Sequence, residues 1–283
     1  MSATIGKVQC WAQRRLADAG IDEAKLEARY LVCHALGVDV TALIVKAQEP
    51  PPLGLAAKLE PLLARRAERE PLAHIIGETE FYGLPFFCDH RALIPRPDSE
   101  TVVDLALSLV LRDDPVKIAD LGAGTGCLAI SILSKRPEAR AKAVDISPGA
   151  LALAQANAAR NGVVNRMGFL VSSWADLQDW DHDLIVSNPP YIASAVIDDL
   201  QPEVAKFDPR LALDGGADGL DAYREIISLG ASRMRPGAWL VFEIGFDQKD
   251  AVSALLTASG YIDHVYRSDL GGNDRAIAAR RPL

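Results

Sequence analysis

The stretch Asp120-Leu121-Gly122-Ala123-Gly124-Thr125-Gly126-Cys127 decides the fold, because it joins a strand-like segment, Val116–Leu121, to a helix-like segment, Leu128–Lys135. Glycines at such a junction let the backbone turn tightly and let a ligand approach it closely. A phosphate-binding loop would carry a lysine where Cys127 stands, so that class is excluded. A dinucleotide fingerprint would place its third glycine one residue after Gly126, and a purely structural turn stays open as an alternative.

Strand-like and helix-like segments alternate from this turn to the end of the chain. The other strand-like segments are Ala141–Asp145, Phe169–Ser172, Leu184–Ser187, Trp239–Ile244, Ile262–Tyr266 and Ala276–Ala279. The helical patterns between them include Pro148–Asn161, Asp221–Met234 and Asp247–Ser259. This alternation predicts an α/β fold with a parallel sheet covered by helices on both faces. Only about nine residues separate the last two strands, too few for a parallel crossover, so we expect a Rossmann-like, seven-stranded sheet whose last strand is antiparallel.

Residues 1–74 are predicted to form a small helical domain. Apolar residues recur there at helical spacing, and Asp22 is a candidate cap for the second helix. Further helices are predicted over Asp39–Ala47 and Leu55–Arg69. No polar constellation in this domain suggests chemistry, so we expect either a packing module or one that docks a substrate.

A β-hairpin linker is predicted over residues 75–97, where short apolar runs are separated by Gly and Pro. The first of these runs is Ile75-Ile76-Gly77. The third predicted domain covers residues 98–283 and opens with a helix that Asp98 or Ser99 would cap and that would end near Leu111.

The glycine spacing, Asp-x-Gly-x-Gly-x-Gly, resembles the first motif of class I S-adenosylmethionine-dependent methyltransferases. Asp145 ends the second strand about 20 residues beyond the glycines, where a carboxylate can accept hydrogen bonds from ribose hydroxyls. Ser147 can cap the helix that follows, which leaves Asp145 for a ligand. Trp174 comes just after the third strand, where an adenine would stack on it, although a tryptophan of the buried core is an equally good interpretation.

The segment Asn188-Pro189-Pro190-Tyr191 directly follows the fourth strand, at the end of the sheet where open α/β folds bind ligands. It suits methylation of a planar nitrogen, whose delocalised lone pair makes it a poor nucleophile. The Asn188 side-chain oxygen and the Pro189 carbonyl would accept its N–H groups as positive charge develops. The prolines pre-position both acceptors. We expect Asn188, Pro189 and Tyr191 to be catalytic and all four residues to bind substrate, with a plain proline-rich turn as the alternative.

Composition excludes several classes of protein. The apolar fraction of 49% rules out disorder, and no apolar stretch approaches the roughly 18–20 residues of a membrane span. The first residues show no signal-peptide pattern, so we expect a cytoplasmic protein. The four cysteines and five histidines form no metal-binding pattern, and we expect no metal and reduced, buried cysteines.

The net charge of −8 is unevenly distributed. Residues 1–75 carry a net charge of +1, whereas residues 76–283 carry −9. A duplex-binding protein usually shows a basic face, because neutralised phosphates supply most of its affinity. We therefore expect no nucleic acid and no membrane among the partners, and a monomer.

Together with further motifs, these features resemble the HemK-type family of peptide chain release factor glutamine methyltransferases. The matching pieces span essentially the whole chain: Glu70–Gly77, Phe81–Phe86, Leu93–Glu100, Asp120–Gly126, Ser187–Tyr191, Glu243-Ile244-Gly245 and Gly272–Arg275. The resemblance implies N5-methylation of the glutamine in the Gly-Gly-Gln tripeptide of bacterial release factors. It implies that S-adenosylmethionine is the cofactor and S-adenosylhomocysteine its product. The cofactor contacts that it implies are Gly122, Ala123, Gly124, Thr125, Gly126, Asp145, Trp174 and Asn188.

Other functions remain as alternatives at this point. A related enzyme that methylates a glutamine of a large-subunit ribosomal protein has much the same core. The Asn-Pro-Pro-Tyr motif alone is shared with adenine N6-methyltransferases of DNA or RNA, but this chain shows no basic groove or appended nucleic-acid module. A non-catalytic scaffold that only binds the cofactor would have no need of the nitrogen-directed acceptors.

Overall fold

The structure is a computed structural model that describes residues 4–283 and divides the chain into two compact units. The first unit ends at Gly77 and the second begins at Glu78. Residues 1–3 of the predicted helical domain lie outside the described residues. Within residues 4–283, no helix combines the length and the apolar character that crossing a bilayer requires.

The first unit consists of helices, as the sequence predicted. The helices are α1 (Ile5–Asp18), α2 (Ala24–Leu36), α3 (Val40–Val45), α4 (Leu55–Ala67) and α5 (Leu72–Ile76). Their apolar faces enclose a core of their own, in which Leu16, Leu31 and Leu59 are completely buried.

Three local predictions in this unit are wrong. The cap position of α2 falls on Glu23 rather than Asp22, and the backbone there (φ −89°, ψ 31°) is not extended as side-chain capping requires. Ile75 and Ile76 lie in α5 rather than in a hairpin, because Gly77, with φ +87°, ends a short helical turn. Cys10 is exposed rather than buried.

The second unit opens with an antiparallel hairpin of β1 (Glu78–Phe81) and β2 (Leu84–Phe87). Helix α6 (Glu100–Leu109) follows. Ser99 occupies its cap position but makes no capping hydrogen bond, because its backbone is already helical. The helix also ends two residues before Leu111, since Val110 is extended.

The central sheet has the predicted seven strands. They are β3 (Lys117–Leu121), β4 (Arg140–Asp145), β5 (Met167–Val171), β6 (Leu184–Ser187), β7 (Trp239–Glu243), β8 (Ile262–Ser268) and β9 (Asp274–Arg280). The spatial order is β5-β4-β3-β6-β7-β9-β8. The first five strands of this order pair in parallel, and β9 pairs antiparallel with both neighbours. The predicted α/β fold and its antiparallel last strand are confirmed.

Helices between the strands cover the sheet and leave a crevice beside β3. They are α7 (Cys127–Lys135), α8 (Pro148–Arg160), α10 (Asp221–Arg233) and α11 (Lys249–Ala258), whereas the short α9 (Pro202–Phe207) buries no residue. Helices α10 and α11 share one apolar cluster with β3, β6 and β7. Strand β3 lies between β4 and β6, so the chain leaves it in opposite directions on its two sides. Open α/β sheets bind ligands at such a point, beyond the carboxyl ends of the strands.

A buried asparagine of α8 ties the hairpin to the glycine-rich turn. The Asn157 side chain accepts a hydrogen bond from the Phe87 N–H at 2.7 Å and donates to the carbonyls of Phe87 at 3.2 Å and Thr125 at 3.0 Å. Asn157 is completely buried, and its bond to Thr125 is shielded from water. The hairpin therefore helps to fix the turn that follows β3.

Candidate active site

The glycine-rich turn after β3 depends on backbone conformations that favour glycine. Gly122, Gly124 and Gly126 have φ values of +70°, +55° and +78°. A Cβ atom on Gly126 would also lie 3.1 Å from the Cβ of Ala154, so the turn packs closely on α8. The N–H groups of Gly122 and Ala123 both donate to the carbonyl of Val144 in β4. The turn is thus fixed against the neighbouring strand and presents its backbone to the crevice.

Asp145 lies at the carboxyl end of β4, beside this turn. Its carboxylate accepts hydrogen bonds from the N–H of Gly124 at 2.9 Å and the N–H of Ser147 at 2.8 Å. Ser147 caps α8 by accepting a hydrogen bond from the Ala150 N–H, as the sequence predicted. A carboxylate offers about four acceptor positions, so Asp145 retains capacity for two ligand hydroxyls.

Trp174 faces the same crevice from the segment after β5. A Cβ atom on Gly122 would lie 3.8 Å from the indole ring, which therefore lies over the start of the glycine-rich turn. The indole N–H donates to Glu225 of α10 at 2.5 Å. Trp174 also packs against the core cluster on this face of the sheet, so it is both a core residue and part of the cleft wall.

The Asn-Pro-Pro-Tyr segment leaves β6 at the same end of the sheet. Asn188 and Pro190 line the cleft, whereas Pro189 is buried. Within the described residues the Asn188 side chain makes no hydrogen bond, which leaves its amide oxygen open. Tyr191 donates from its hydroxyl to Glu243 at 3.2 Å and packs against the core.

These elements enclose one cleft of about 430 Å³. Of the sequence-predicted residues, those that line it are Gly122, Ala123, Gly124, Thr125, Asp145, Trp174, Asn188 and Pro190. The other three predicted residues do not line the cleft; they are Gly126, Pro189 and Tyr191. The size falls within the range of small-molecule sites.

Burial strongly raises the pKa values of two groups at the cleft. Burial raises the pKa of Asp120 to about 7, against a hydrogen bond from the Ala129 N–H that favours the ionised form. A cation bound nearby would lower this pKa again. Burial likewise raises the pKa of the Cys127 thiol to about 12, so this cysteine is not a nucleophile at neutral pH.

Comparison with known proteins places the chain in a family. A model of the PrmC N-terminal domain matches residues 8–77, and a model of the methyltransferase small domain matches residues 99–205. A release factor glutamine methyltransferase of Geobacter sulfurreducens is 42% identical over 279 residues, covering 98% of this chain and 96% of the relative. The chain belongs to the release factor glutamine methyltransferase family. A family member from Cereibacter sphaeroides is 43% identical over 268 residues, 95% of each chain.

A solved methyltransferase of Pyrococcus furiosus shares the fold of this family member. The TM-score is 0.52 at 14% identity, over 71% of this chain and 90% of the solved one. The family models and the relatives confirm the predicted family and enzyme class, a methyltransferase, and the solved structure confirms the fold.

Sequence reasoning missed an ion pair at the cleft of this methyltransferase. Arg96, which lines the cleft, contacts Asp208 with 2.8 Å between Nη2 and Oδ2. The Asp208 side chain is fully buried, and burial raises the pKa of its carboxyl while Arg96 lowers it. The pair joins the loop Leu93–Pro97 to the segment that follows Asn188–Tyr191. The two residues lie 112 positions apart in the chain, so no local sequence pattern predicts the pair.

Glu243 and Gln248 of this methyltransferase are also missing from the sequence-based site. Glu243 is 2% exposed at the end of β7, and burial raises the pKa of its carboxyl. Gln248 donates to the carbonyl of Tyr191 at 3.0 Å. The available signal for Glu243 was an acidic residue within the otherwise apolar strand-like segment Trp239–Ile244, since charged residues are rarely buried without a partner.

Proposed function

We propose that this chain transfers the methyl group of S-adenosylmethionine to the side-chain amide nitrogen of the glutamine in the Gly-Gly-Gln motif of peptide chain release factors. One observation supports this most strongly. Asn188, with an open amide oxygen, lines the same cleft as the glycine-rich turn in a chain of the release factor glutamine methyltransferase family. The proposed acceptor for the substrate amide and the proposed cofactor site therefore line the same cleft.

The residues of the cleft fit S-adenosylmethionine. The turn Gly122–Gly126 brings backbone close to a ligand, Asp145 retains acceptor capacity for ribose hydroxyls, and Trp174 offers an aromatic wall for the adenine. The ligand carries positive charge, which suits a cleft whose floor holds Asp120. When bound, it supplies a methyl group activated by a sulfonium centre.

The Asn-Pro-Pro-Tyr turn would prepare the amide nitrogen. The Asn188 oxygen and the Pro189 carbonyl accept the two N–H groups, hold the amide plane, and stabilise the positive charge that develops on nitrogen. Methyl transfer then depends mainly on placing the nitrogen about 3–3.5 Å from the methyl carbon. No strong base is required, because the nitrogen becomes acidic once it is alkylated. Tyr191 supplies a flat surface beside the amide.

The substrate class can be tested by offering the candidate substrates in parallel assays. Tritiated S-adenosylmethionine is incubated with the full chain and, in parallel, a purified release factor, ribosomal large-subunit proteins, and a DNA and RNA pool. We expect label in the release factor alone. Label in nucleic acid would favour adenine methylation, and label in a ribosomal protein alone would favour the other glutamine substrate; either outcome contradicts the proposal.

We further propose that the helical unit contributes to docking of the release factor. Its surface carries apolar side chains that its own core leaves exposed, notably Ile44 and Val45 at 64% and 75% exposure. We therefore expect kcat/KM to be at least roughly tenfold higher for a full-length release factor than for a short Gly-Gly-Gln peptide. Replacing both residues with serine should lower kcat/KM for the full-length substrate and leave that for the peptide unchanged. Equal loss on both substrates, or no loss, contradicts docking.

The proposed substrate also sets the expected location and assembly. Release factors act in translation termination, so we propose that the chain works in the cytoplasm. We propose that the chain acts without nucleic acid, since residues 76–283 carry a net charge of −9. We also propose that it acts as a monomer. Sedimentation of the chain alone as a dimer, or a shift in the presence of duplex DNA, would contradict these two points.

A further inference from the structure

The backbone of Tyr191 is held by a side chain that lies outside the Asn-Pro-Pro-Tyr turn. The amide nitrogen of Gln248 donates to the carbonyl of Tyr191 at 3.0 Å and to the carbonyl of Gly219 at 3.3 Å. Its amide oxygen accepts a hydrogen bond from the Gly245 N–H at 3.0 Å. The bond to Tyr191 connects the turn after β7 with the turn after β6, and the bond to Gly219 connects it with the segment before α10. The bond from Gly245 lies within the turn after β7 and fixes the Gln248 side chain there.

The side chain of Tyr191 is held by the other end of the same turn. Its hydroxyl donates to Oε1 of Glu243 at 3.2 Å. The backbone of Glu243 is fixed in its place, because its carbonyl accepts a hydrogen bond from the buried hydroxyl of Tyr223 at 2.7 Å. Glu243 and Gln248 therefore hydrogen-bond to the hydroxyl and to the carbonyl of Tyr191.

The opposite side of the turn is closed by a tightly packed segment. The N–H of Ile192 donates to Leu213 at 3.0 Å, and the carbonyl of Ile192 accepts from Gly215 at 2.8 Å. A Cβ atom on Gly215 would lie 2.7 Å from the carbonyl oxygen of Pro190. The backbone from Pro190 to Ile192 is therefore closely packed on this side, with space for glycine only at position 215.

We infer that Glu243 and Gln248 are positioning residues for methyl transfer, acting through Tyr191 on the acceptors of the Asn-Pro-Pro-Tyr turn. The inference rests on the proposed function. Tyr191 is three residues from Asn188 and two from Pro189, and the prolines between them stiffen the chain. A displacement of Tyr191 is therefore passed to both acceptors. A misplacement of about 1 Å at a reacting group can cost roughly 100-fold in rate.

The sharpest variant is Gln248→Glu. It keeps the size of the side chain and an oxygen for the Gly245 N–H, but it replaces the two N–H donors by an oxygen that faces two carbonyls. We expect kcat to fall roughly 10- to 100-fold, while the dissociation constant for S-adenosylmethionine and the melting temperature stay near wild type. Gln155→Glu, the same change on the exposed face of α8, is the matched control and should leave kcat unchanged.

A second variant covers the case in which the glutamate disrupts folding. Gln248→Ala removes the same donors without adding charge, and the same selective loss of kcat is expected. Unchanged kcat in a folded Gln248→Glu or Gln248→Ala protein overturns the inference. So does a parallel fall of kcat, cofactor affinity and melting temperature in both variants, because that pattern indicates a purely structural role.

A measurement that does not depend on activity separates this inference from the proposed function. The chain has six tyrosines, so fluorine NMR of protein labelled with 3-fluorotyrosine can resolve Tyr191, assigned by its loss in Tyr191→Phe. We expect the Tyr191 signal to shift or broaden in Gln248→Glu and to be unchanged in Gln155→Glu. An unmoved Tyr191 signal overturns the inference, whereas a wild-type chain that leaves the release factor unlabelled overturns the proposed function alone.

Discussion

Replacing Asn188 with alanine is expected to lower kcat on a release factor by roughly 100- to 1,000-fold. Asn188 lines the cleft, and within the described residues its side chain makes no hydrogen bond, so we expect its oxygen to be available to the substrate amide. Its acceptor role becomes stronger as positive charge develops on the nitrogen, and the loss should therefore fall on kcat more than on KM. Steady-state kinetics with labelled cofactor measures both quantities.

Two further variants give this prediction its controls. Asn188→Asp keeps an acceptor oxygen at the same place and should retain more activity than the alanine variant. Asn165→Ala removes an exposed asparagine from the loop before β5 and should behave like wild type. The proposed role of Asn188 is wrong if Asn188→Ala, with a melting temperature like that of wild type, turns over within about threefold of it.

Replacing Asp145 with alanine is expected to weaken S-adenosylmethionine binding roughly 100-fold, or by about 3 kcal/mol. The carboxylate has two effects on the site. It offers its remaining acceptor positions to ribose hydroxyls, and it holds the Gly124 N–H at 2.9 Å, which fixes the middle of the glycine-rich turn. Calorimetric titration of the cofactor into the variant measures the loss directly.

Ser147→Ala is the matched control for the Asp145 variant. It removes the cap of α8 two residues further along and should cost about 1 kcal/mol of stability, with little change in cofactor affinity. If Ser147→Ala weakens binding as much as Asp145→Ala, the effect reflects the integrity of the turn, and a direct contact between Asp145 and the ribose is not needed to explain it.

The sheet could be predicted from the sequence because its information is local. Leu184–Val186 is a fully buried apolar run, which is typical of a strand inside a parallel sheet. The connection before β9 is too short for a parallel crossover, so the last strand must be antiparallel. The glycine-rich turn and the Asn-Pro-Pro-Tyr segment follow their strands directly. Ligands bind beyond the carboxyl ends of parallel strands, and this rule correctly predicts that both segments lie at one cleft.

The supports of the site could not be predicted, because they join residues far apart in the chain. Gln248 reaches Tyr191 across 57 positions, and Arg96 reaches Asp208 across 112. Tyr191 illustrates the limit best. The sequence predicts its flat ring beside the substrate, but not that its hydroxyl would be turned to a buried carboxylate in the next strand.

Local errors came from weak signals at helix ends. Asp22 and Ser99 are residue types that often cap helices, but the backbone entering α2 and α6 is not extended, so neither side chain caps its helix. The run at Ile75-Ile76 has no periodicity long enough to distinguish a strand from one turn of helix.

The most direct test of the central claim is to locate the methyl group. A release factor is incubated with the full chain and S-adenosylmethionine, digested, and its Gly-Gly-Gln peptide is sequenced by tandem mass spectrometry. The account predicts one added methyl group on the side-chain amide of that glutamine, and only a trace of it after the same time when Asn188→Ala replaces the wild-type chain. A methyl group on any other residue would contradict it. So would an unmodified Gly-Gly-Gln peptide when the full chain in the assay binds S-adenosylmethionine.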